Sequence, residues 1–252
     1  MRLRRLLAVA AVCSLANVAH AAPDAGVAAG EDPSPAIDAD PGAGLHLITS
    51  SALTQPRGAV TITSHMGLTG ATYGLTDRLE LGGYVLPVFL FSDDTYVGGV
   101  FTAKLAVVNH GPIRAAIEVR TGALSQRWTD LWYAEASAIA TACIDRACAS
   151  ELTAAGTIGA RAVTGSLDDG GGERELETRL AIGAQVRLAD HVKLVADVAW
   201  AREAERGGSA SSGVLLAPGV RIHGASWMVL ASAAIAPMSG DILPWVSAAY
   251  RL

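Results

Sequence analysis

The chain of 252 residues has no long hydrophobic run beyond its N-terminus. A membrane-spanning helix needs about 18 or more apolar residues in a row, so the rest of the chain is not expected to span with helices. Yet 51% of the residues are hydrophobic and the mean hydropathy is +0.35, which suits an integral membrane protein. Membrane-spanning strands resolve the conflict, because they place apolar residues at alternate positions and no single window looks like a spanning helix.

Basic clusters are also missing. The net charge is −5 and no basic stripe occurs along the chain, so nothing favours binding to nucleic acid. Aromatic residues make up only 5% of the chain, too few for two full girdles at the membrane interfaces. We expect neither a cofactor nor a metal site, and no partner of the nucleic-acid class.

The N-terminus has the features of a secretory signal over residues 1–21. Arg2, Arg4 and Arg5 precede an apolar stretch, and Ala19-His20-Ala21 is a small-x-small cleavage site. A lipoprotein signal that uses Cys13 is the alternative. Residues 22–44 are rich in Ala, Gly, Pro and Asp, a composition that predicts a disordered periplasmic linker.

Cysteine is scarce, and after export only Cys143 and Cys148 remain. Two cysteines this close in an oxidising compartment predict a disulfide that closes a short turn. A zinc site would need two further ligands, and no histidine lies near the pair in sequence. Two free thiols in a loop remain an alternative.

Alternation with a period of two dominates from residue 45 to the end of the chain. In residues 113–121 the charged Arg114, Glu118 and Arg120 alternate with the apolar Ile113, Ile117 and Val119. Such alternation predicts strands with one polar and one apolar face. The segments are about ten to fourteen residues long, which exceeds the usual soluble strand and fits a tilted membrane strand.

About twelve strands are predicted, and ten is the alternative. Short turns at 75–78, 109–112, 188–191 and 223–226 alternate with longer or more polar connections at 91–95, 164–174 and 203–212. Short periplasmic turns with longer outer loops are typical of outer-membrane barrels. We therefore predict an all-β fold, an antiparallel up-and-down transmembrane β-barrel over residues 45–252, with a soluble exported β-sandwich as the alternative.

The polar faces of these strands predict a charged lumen. The residues expected to line it are Arg114, Glu118, Arg120, Glu151, Arg161, Glu175, Glu177, Arg179, Arg187, Lys193, Asp197 and Arg221. Small residues on the same faces, such as Ala116, Gly159, Gly183 and Gly219, indicate space inside the barrel. His110, His191 and His223 fall in predicted turns, where we expect solvated side chains.

The last strand ends in Tyr250-Arg251-Leu252, with an aromatic residue third from last and an apolar terminal residue. With the hairpin at 73–84, this ending resembles Gram-negative outer-membrane β-barrel proteins of the porin-like kind. The resemblance covers residues 44–252 and rests on pattern. It implies that the protein lies in the outer membrane, contacts outer-membrane lipid, and is recognised by the barrel-assembly machinery through Tyr250 and Leu252.

Two functions follow from a charged lumen. An open lumen predicts a passive pore for small solutes, because twelve strands leave more room than the eight whose side chains fill a barrel. A lumen closed by salt-bridge networks predicts a structural barrel. A barrel enzyme acting on lipid is a further alternative, but no nucleophile motif or paired Ser and His supports it, so we do not expect an enzyme.

Overall fold

A computed structural model describes residues 40–41, 46, 48–65, 68–86, 96–126, 129–165, 173–205 and 210–252. The predicted signal peptide (1–21) and most of the predicted linker (22–44) lie outside the described residues. No helix long and apolar enough to cross a membrane occurs in the part of the chain that the structure describes.

Twelve antiparallel strands form one closed barrel within the described residues, each hydrogen-bonded to its neighbours in sequence. They are β1 (Val60–His65), β2 (Leu68–Gly74), β3 (Leu79–Leu86), β4 (Tyr96–Val108), β5 (Ile113–Gln126), β6 (Thr129–Cys143), β7 (Glu151–Gly165), β8 (Glu173–Ala189), β9 (Val192–Glu205), β10 (Ala210–His223), β11 (Trp227–Ala236) and β12 (Asp241–Arg251). The predicted all-β up-and-down barrel is confirmed, with twelve strands rather than ten.

The first and last strands close the barrel. Thr61 of β1 lies opposite Arg251 of β12, and Ser64 lies opposite Ala248. Every strand therefore has two partners, and the single closed sheet excludes the two packed sheets of a sandwich. A closed sheet also satisfies all backbone groups between strands, as the hydrocarbon core of a membrane requires.

The two-residue period directs polar side chains inward and apolar ones outward. On β7, Glu151 and Thr153 have no exposed surface, whereas Leu152 and Ile158 are 49% and 65% exposed. The same division recurs on β5, where Ile113, Ile117 and Val119 point outward. An apolar outer wall around a polar interior is the arrangement of a transmembrane barrel, and it confirms the prediction of an outer-membrane β-barrel.

The aromatic residues divide between the two faces. Trp132, Trp200, Trp227 and Tyr250 point outward, with Trp227 and Tyr250 opposite each other at the turn end, whereas Tyr84 and Tyr133 are buried in the interior. Trp128 lies outside the described residues.

Five connections lie at the end of the barrel where β1 starts, here called the turn end. They are residues 75–78, 109–112, 144–150, 190–191 and 224–226, and both the start of β1 and Leu252 lie beside them. The predicted disulfide between Cys143 and Cys148 closes the connection from β6 to β7. Asp145 stabilises this turn by accepting hydrogen bonds from the backbone N–H groups of Ala149 and Ser150.

Candidate functional site

The lumen is occupied by the part of the chain that precedes the barrel. Residues 40–41, 46 and 48–56, here called the lumen segment, lie inside the barrel, and all but Pro56 are buried. Asp40 belongs to the stretch predicted as a linker, but it has no exposed surface. The space indicated by the small lumen-facing residues is therefore real, and the chain's own segment fills it.

The contacts of the lumen segment trace a path into the barrel and back. Asp40 contacts Lys193 near the turn end of β9, and His46 contacts Asp197 on the same strand. These two wall residues are about 13 Å apart along β9, at roughly 3.3 Å per residue. Thr54 then donates to the carbonyl of Asp77 at the turn end, so the segment enters and leaves at that end.

Asp40 anchors the entry of the lumen segment. Its Oδ2 lies 2.8 Å from Lys193 Nζ and 3.1 Å from Arg221 Nη1. Burial alone would raise the pKa of this carboxyl, but Arg221 and Lys193 hold it below its ordinary value. Asp40 is therefore a carboxylate that offsets two buried cations of the wall.

His46 lies between two carboxylates of the wall. Its Nδ1 is 3.0 Å from Asp197 Oδ1 and its Nε2 is 2.9 Å from Glu151 Oε1, and all three side chains lack exposed surface. Asp197 also accepts a hydrogen bond from the backbone N–H of Ile48. One stretch of the lumen segment is thus bound to both β7 and β9.

The deepest contact involves Ser50. Its hydroxyl donates to Glu118 and accepts a hydrogen bond from Arg120 Nη2 at 3.2 Å. Arg120 and Glu118 are themselves paired at 2.7 Å. The Ser50 hydroxyl therefore bonds to both members of an ion pair that belongs to the barrel wall.

The returning part of the lumen segment is held mainly through its backbone. Lys104 Nζ donates to the carbonyls of Ser51 and Leu53, at 3.1 and 2.6 Å. The N–H of Ala52 donates to Thr141, and that of Gln55 donates to Glu80. Wall side chains therefore satisfy backbone groups that would otherwise be buried without partners.

Small residues on the wall make room for these contacts. Ala52 packs in a cluster with Ala116, Ile139 and Ala155. At Gly183 a Cβ would lie 2.4 Å from both His46 Nδ1 and Asp197 Oδ1. A larger residue at Gly183 would therefore collide with the lumen segment.

Between the lumen segment and the barrel end opposite the turn end, the described wall residues include more acidic than basic groups. Arg179 pairs with Glu135 at 3.0 Å and with Glu177 at 3.7 Å. Arg161 pairs with Glu175, and with Glu203 at 3.2 Å. A cavity of about 10 Å³ lies between the segment and this region, room for roughly one water molecule.

The structure places most of the predicted lumen residues on the inner face. Buried inside are Arg114, Glu118, Arg120, Glu151, Arg179, Lys193, Asp197 and Arg221. Arg161, Glu175 and Glu177 also face inward but are partly accessible, and Arg187 is exposed near the turn end. The inward set thus contains both signs of charge and surrounds the lumen segment.

Sequence reasoning missed several residues of this site. Asp40 and His46 have no alternating neighbours, and Lys104, Glu80 and Glu135 stand on strands whose pattern was less regular. His223 was predicted to be solvated but is 3% exposed, because it is the last residue of β10 and faces the interior like Arg221. It lies close enough to Asp40 to contribute, after Arg221 and Lys193, to the lowered pKa of that carboxyl.

The C-terminal residues lie on the outer wall. Tyr250 is 52% and Leu252 is 72% exposed. Recognition of these residues by the barrel-assembly machinery stays a prediction.

No protein-family model and no curated protein matches the chain. Solved structures similar to it include a loop L8 deletion mutant of OmpT, an outer membrane protein of Vibrio cholerae. That structure has 10% identity and a TM-score of 0.44, over 77% of this chain and 96% of that chain. Outer-membrane expressed OmpT of Vibrio cholerae has 9% identity and a TM-score of 0.42, over 77% and 95%.

Proposed function

We propose that this protein is an outer-membrane channel for small hydrophilic solutes that its own lumen segment closes. The observation that carries the proposal is the nature of the contacts between segment and wall. Ion pairs and hydrogen bonds predominate, as at Asp40, His46 and Ser50. A segment held by such polar contacts closes the lumen and can still be released from it. We call a segment of this kind a plug.

The small net free energy of these contacts is consistent with a segment that can withdraw from the lumen. Buried ion pairs contribute little net stability, because the cost of removing charges from water offsets much of their attraction. When the segment withdraws, water replaces its contacts on both sides. Withdrawal of an apolar segment of similar size would instead cost roughly 25 cal/mol for each Å² of apolar surface exposed to water.

The barrel itself does not depend on the segment for closure. Pairing of β1 with β12 completes the sheet. Twelve strands enclose more space than the eight whose interior side chains fill a barrel. Withdrawal would leave a polar passage with wall charges of both signs.

The alternative of a lipid-acting enzyme is less well supported. Both ring nitrogens of His46 face carboxylates, and the ring is fully enclosed. A histidine in this position has no free nitrogen to act as a base toward a serine.

A reversible tether tests the proposal. Ala52 and Ala116 are small, buried and in one cluster, so Ala52→Cys with Ala116→Cys places a thiol on the segment beside one on the wall. We expect the oxidised double variant in planar bilayers to be closed under all conditions. Reduction should restore the opening of the wild type.

The single variant Ala52→Cys and the wild type serve as controls, because reduction also breaks Cys143–Cys148 in all three proteins. Equal conductance of the oxidised and reduced double variant, with the tether verified by mass spectrometry, would contradict closure by the segment.

A further inference from the structure

His46 forms two hydrogen bonds that a neutral imidazole cannot form together. An ionised carboxylate only accepts hydrogen bonds, so when Asp197 and Glu151 are both ionised each requires an N–H from the ring. Neutral imidazole has one N–H and one lone pair, and only the imidazolium donates from both nitrogens. With both carboxylates ionised, the two contacts are present together only when the ring is charged.

We propose that His46 is a proton-dependent latch, which holds the lumen segment on β7 and β9 when doubly protonated and releases it when it loses a proton. This inference rests on the proposed function, because it concerns how the closed lumen opens. After loss of one proton, a ring nitrogen and a carboxylate oxygen face each other with lone pairs. Withdrawal of the segment relieves that repulsion and hydrates both groups.

The strands around His46 supply the charges that act on it. Glu151 comes from β7 and Asp197 from β9. Between them β8 contributes the uncharged Gly183 and Gln185, and Gln185 donates to Glu151. Arg114 and Lys104 act on Glu151 from β5 and β4, which weakens the pull of that carboxylate but leaves Asp197 dominant.

These charges set the pH range of the latch. Burial alone would lower the pKa of His46, but Asp197 and Glu151 raise it to about 9 from the ordinary 6.5. A raised pKa stabilises the closed state fully below pH 6.5, and this contribution is lost as the pH rises through 9. Asp40, whose pKa is held low, stays ionised throughout this range.

The test is the open probability of the full mature protein in planar bilayers between pH 6 and 10. Between pH 6.5 and 9 one proton leaves on opening, so the ratio of open to closed protein should rise by up to about tenfold per pH unit. His46→Gln should be largely open at pH 6 and should lose this pH step. His191→Gln, an exposed histidine of a turn, should behave as the wild type.

Asp197→Asn is a second variant that keeps the shape of the site. Removing this carboxylate should lower, by one unit or more, the upper pH at which the ratio of open to closed protein stops rising, since Asp197 is the main charge that raises the pKa of His46 in the closed state. General loosening of the segment would raise this ratio by the same factor at every pH and would leave that upper pH unchanged. Mobility on unheated and heated gels verifies that each variant forms the barrel.

Failure of the latch and failure of the plug give different results. If His46→Gln keeps the wild-type step while the tethered variant opens only on reduction, the latch is wrong and the plug stands. If the oxidised tether conducts at pH 9.5 as the wild type does, the proposed function itself is wrong. If the upper pH of the rise is unchanged in Asp197→Asn, the latch is also overturned.

Discussion

At the scale of single residues, Gly183 determines whether His46 can reach its place. The residue lies on the inner face of β8, where an added Cβ would lie 2.4 Å from the ring nitrogen Nδ1 and from Asp197. Contacts below about 3 Å are not tolerated, so either the ring or the carboxylate must move. Glycine here is a requirement of the closed state rather than of the strand.

Gly183→Ala is therefore expected to open the lumen without destroying the barrel. Losing a hydrogen bond to a charged group costs about 1.5–3 kcal/mol, or about tenfold or more in the ratio of closed to open protein. We predict at least this increase in open probability at pH 6.5 in bilayer recordings.

Gly213→Ala on β10 is the matched control, because no atom lies within 4 Å of its added Cβ. Wild-type behaviour of Gly183→Ala would contradict the close approach of His46.

Predictability at this scale depended on whether a residue belonged to an alternating pattern. Arg120 and Arg179 were found from their strands, since a two-residue period fixes the face of each side chain. His46 stands in a stretch without such a period, and its partners Glu151 and Asp197 are 105 and 151 residues away. No local signal connects residues so far apart in sequence.

At the scale of elements, the strands follow from hydrophobic alternation and their ends from turn residues. The alternating stretch 113–121 lies within β5 (Ile113–Gln126), which starts at the same residue. Longer strands than predicted, such as β8 (Glu173–Ala189), extend into polar sequence. Their pairing with neighbours, rather than their own composition, sets these ends.

Substitution on the apolar face tests the assignment of that face to lipid. Ile158 lies near the middle of β7 and is 65% exposed. A basic residue on the lipid-facing side near the bilayer midplane costs about 2–4 kcal/mol. Ile158→Arg should lower the free energy of unfolding by this amount in urea titrations in lipid vesicles.

Ile144→Arg is the matched control, because Ile144 is 67% exposed but lies in the turn between β6 and β7. Equal destabilisation by the two substitutions would contradict a lipid-facing outer wall on β7.

At the scale of the whole molecule, an even number of strands places both ends of the barrel sequence at the turn end. The lumen segment can therefore occupy the interior and continue into β1 at the turn end without crossing the wall. Strand count and parity were predictable from sequence, whereas occupation of the lumen was not. The glycine, alanine and proline residues around Asp40 indicated disorder. Asp40 is nevertheless held in place by ion pairs with Lys193 and Arg221 of the wall.

The central claim is that the lumen segment lies inside the barrel, and chemical accessibility tests it most directly. Ser51 has no exposed surface, whereas His110 is exposed at the turn end. In membranes at pH 6.5, we predict that a maleimide reagent labels Ser51→Cys at least about a hundredfold more slowly than His110→Cys, as expected when only a rare open state reacts. Comparable labelling rates of the two cysteines would contradict a segment that fills the lumen.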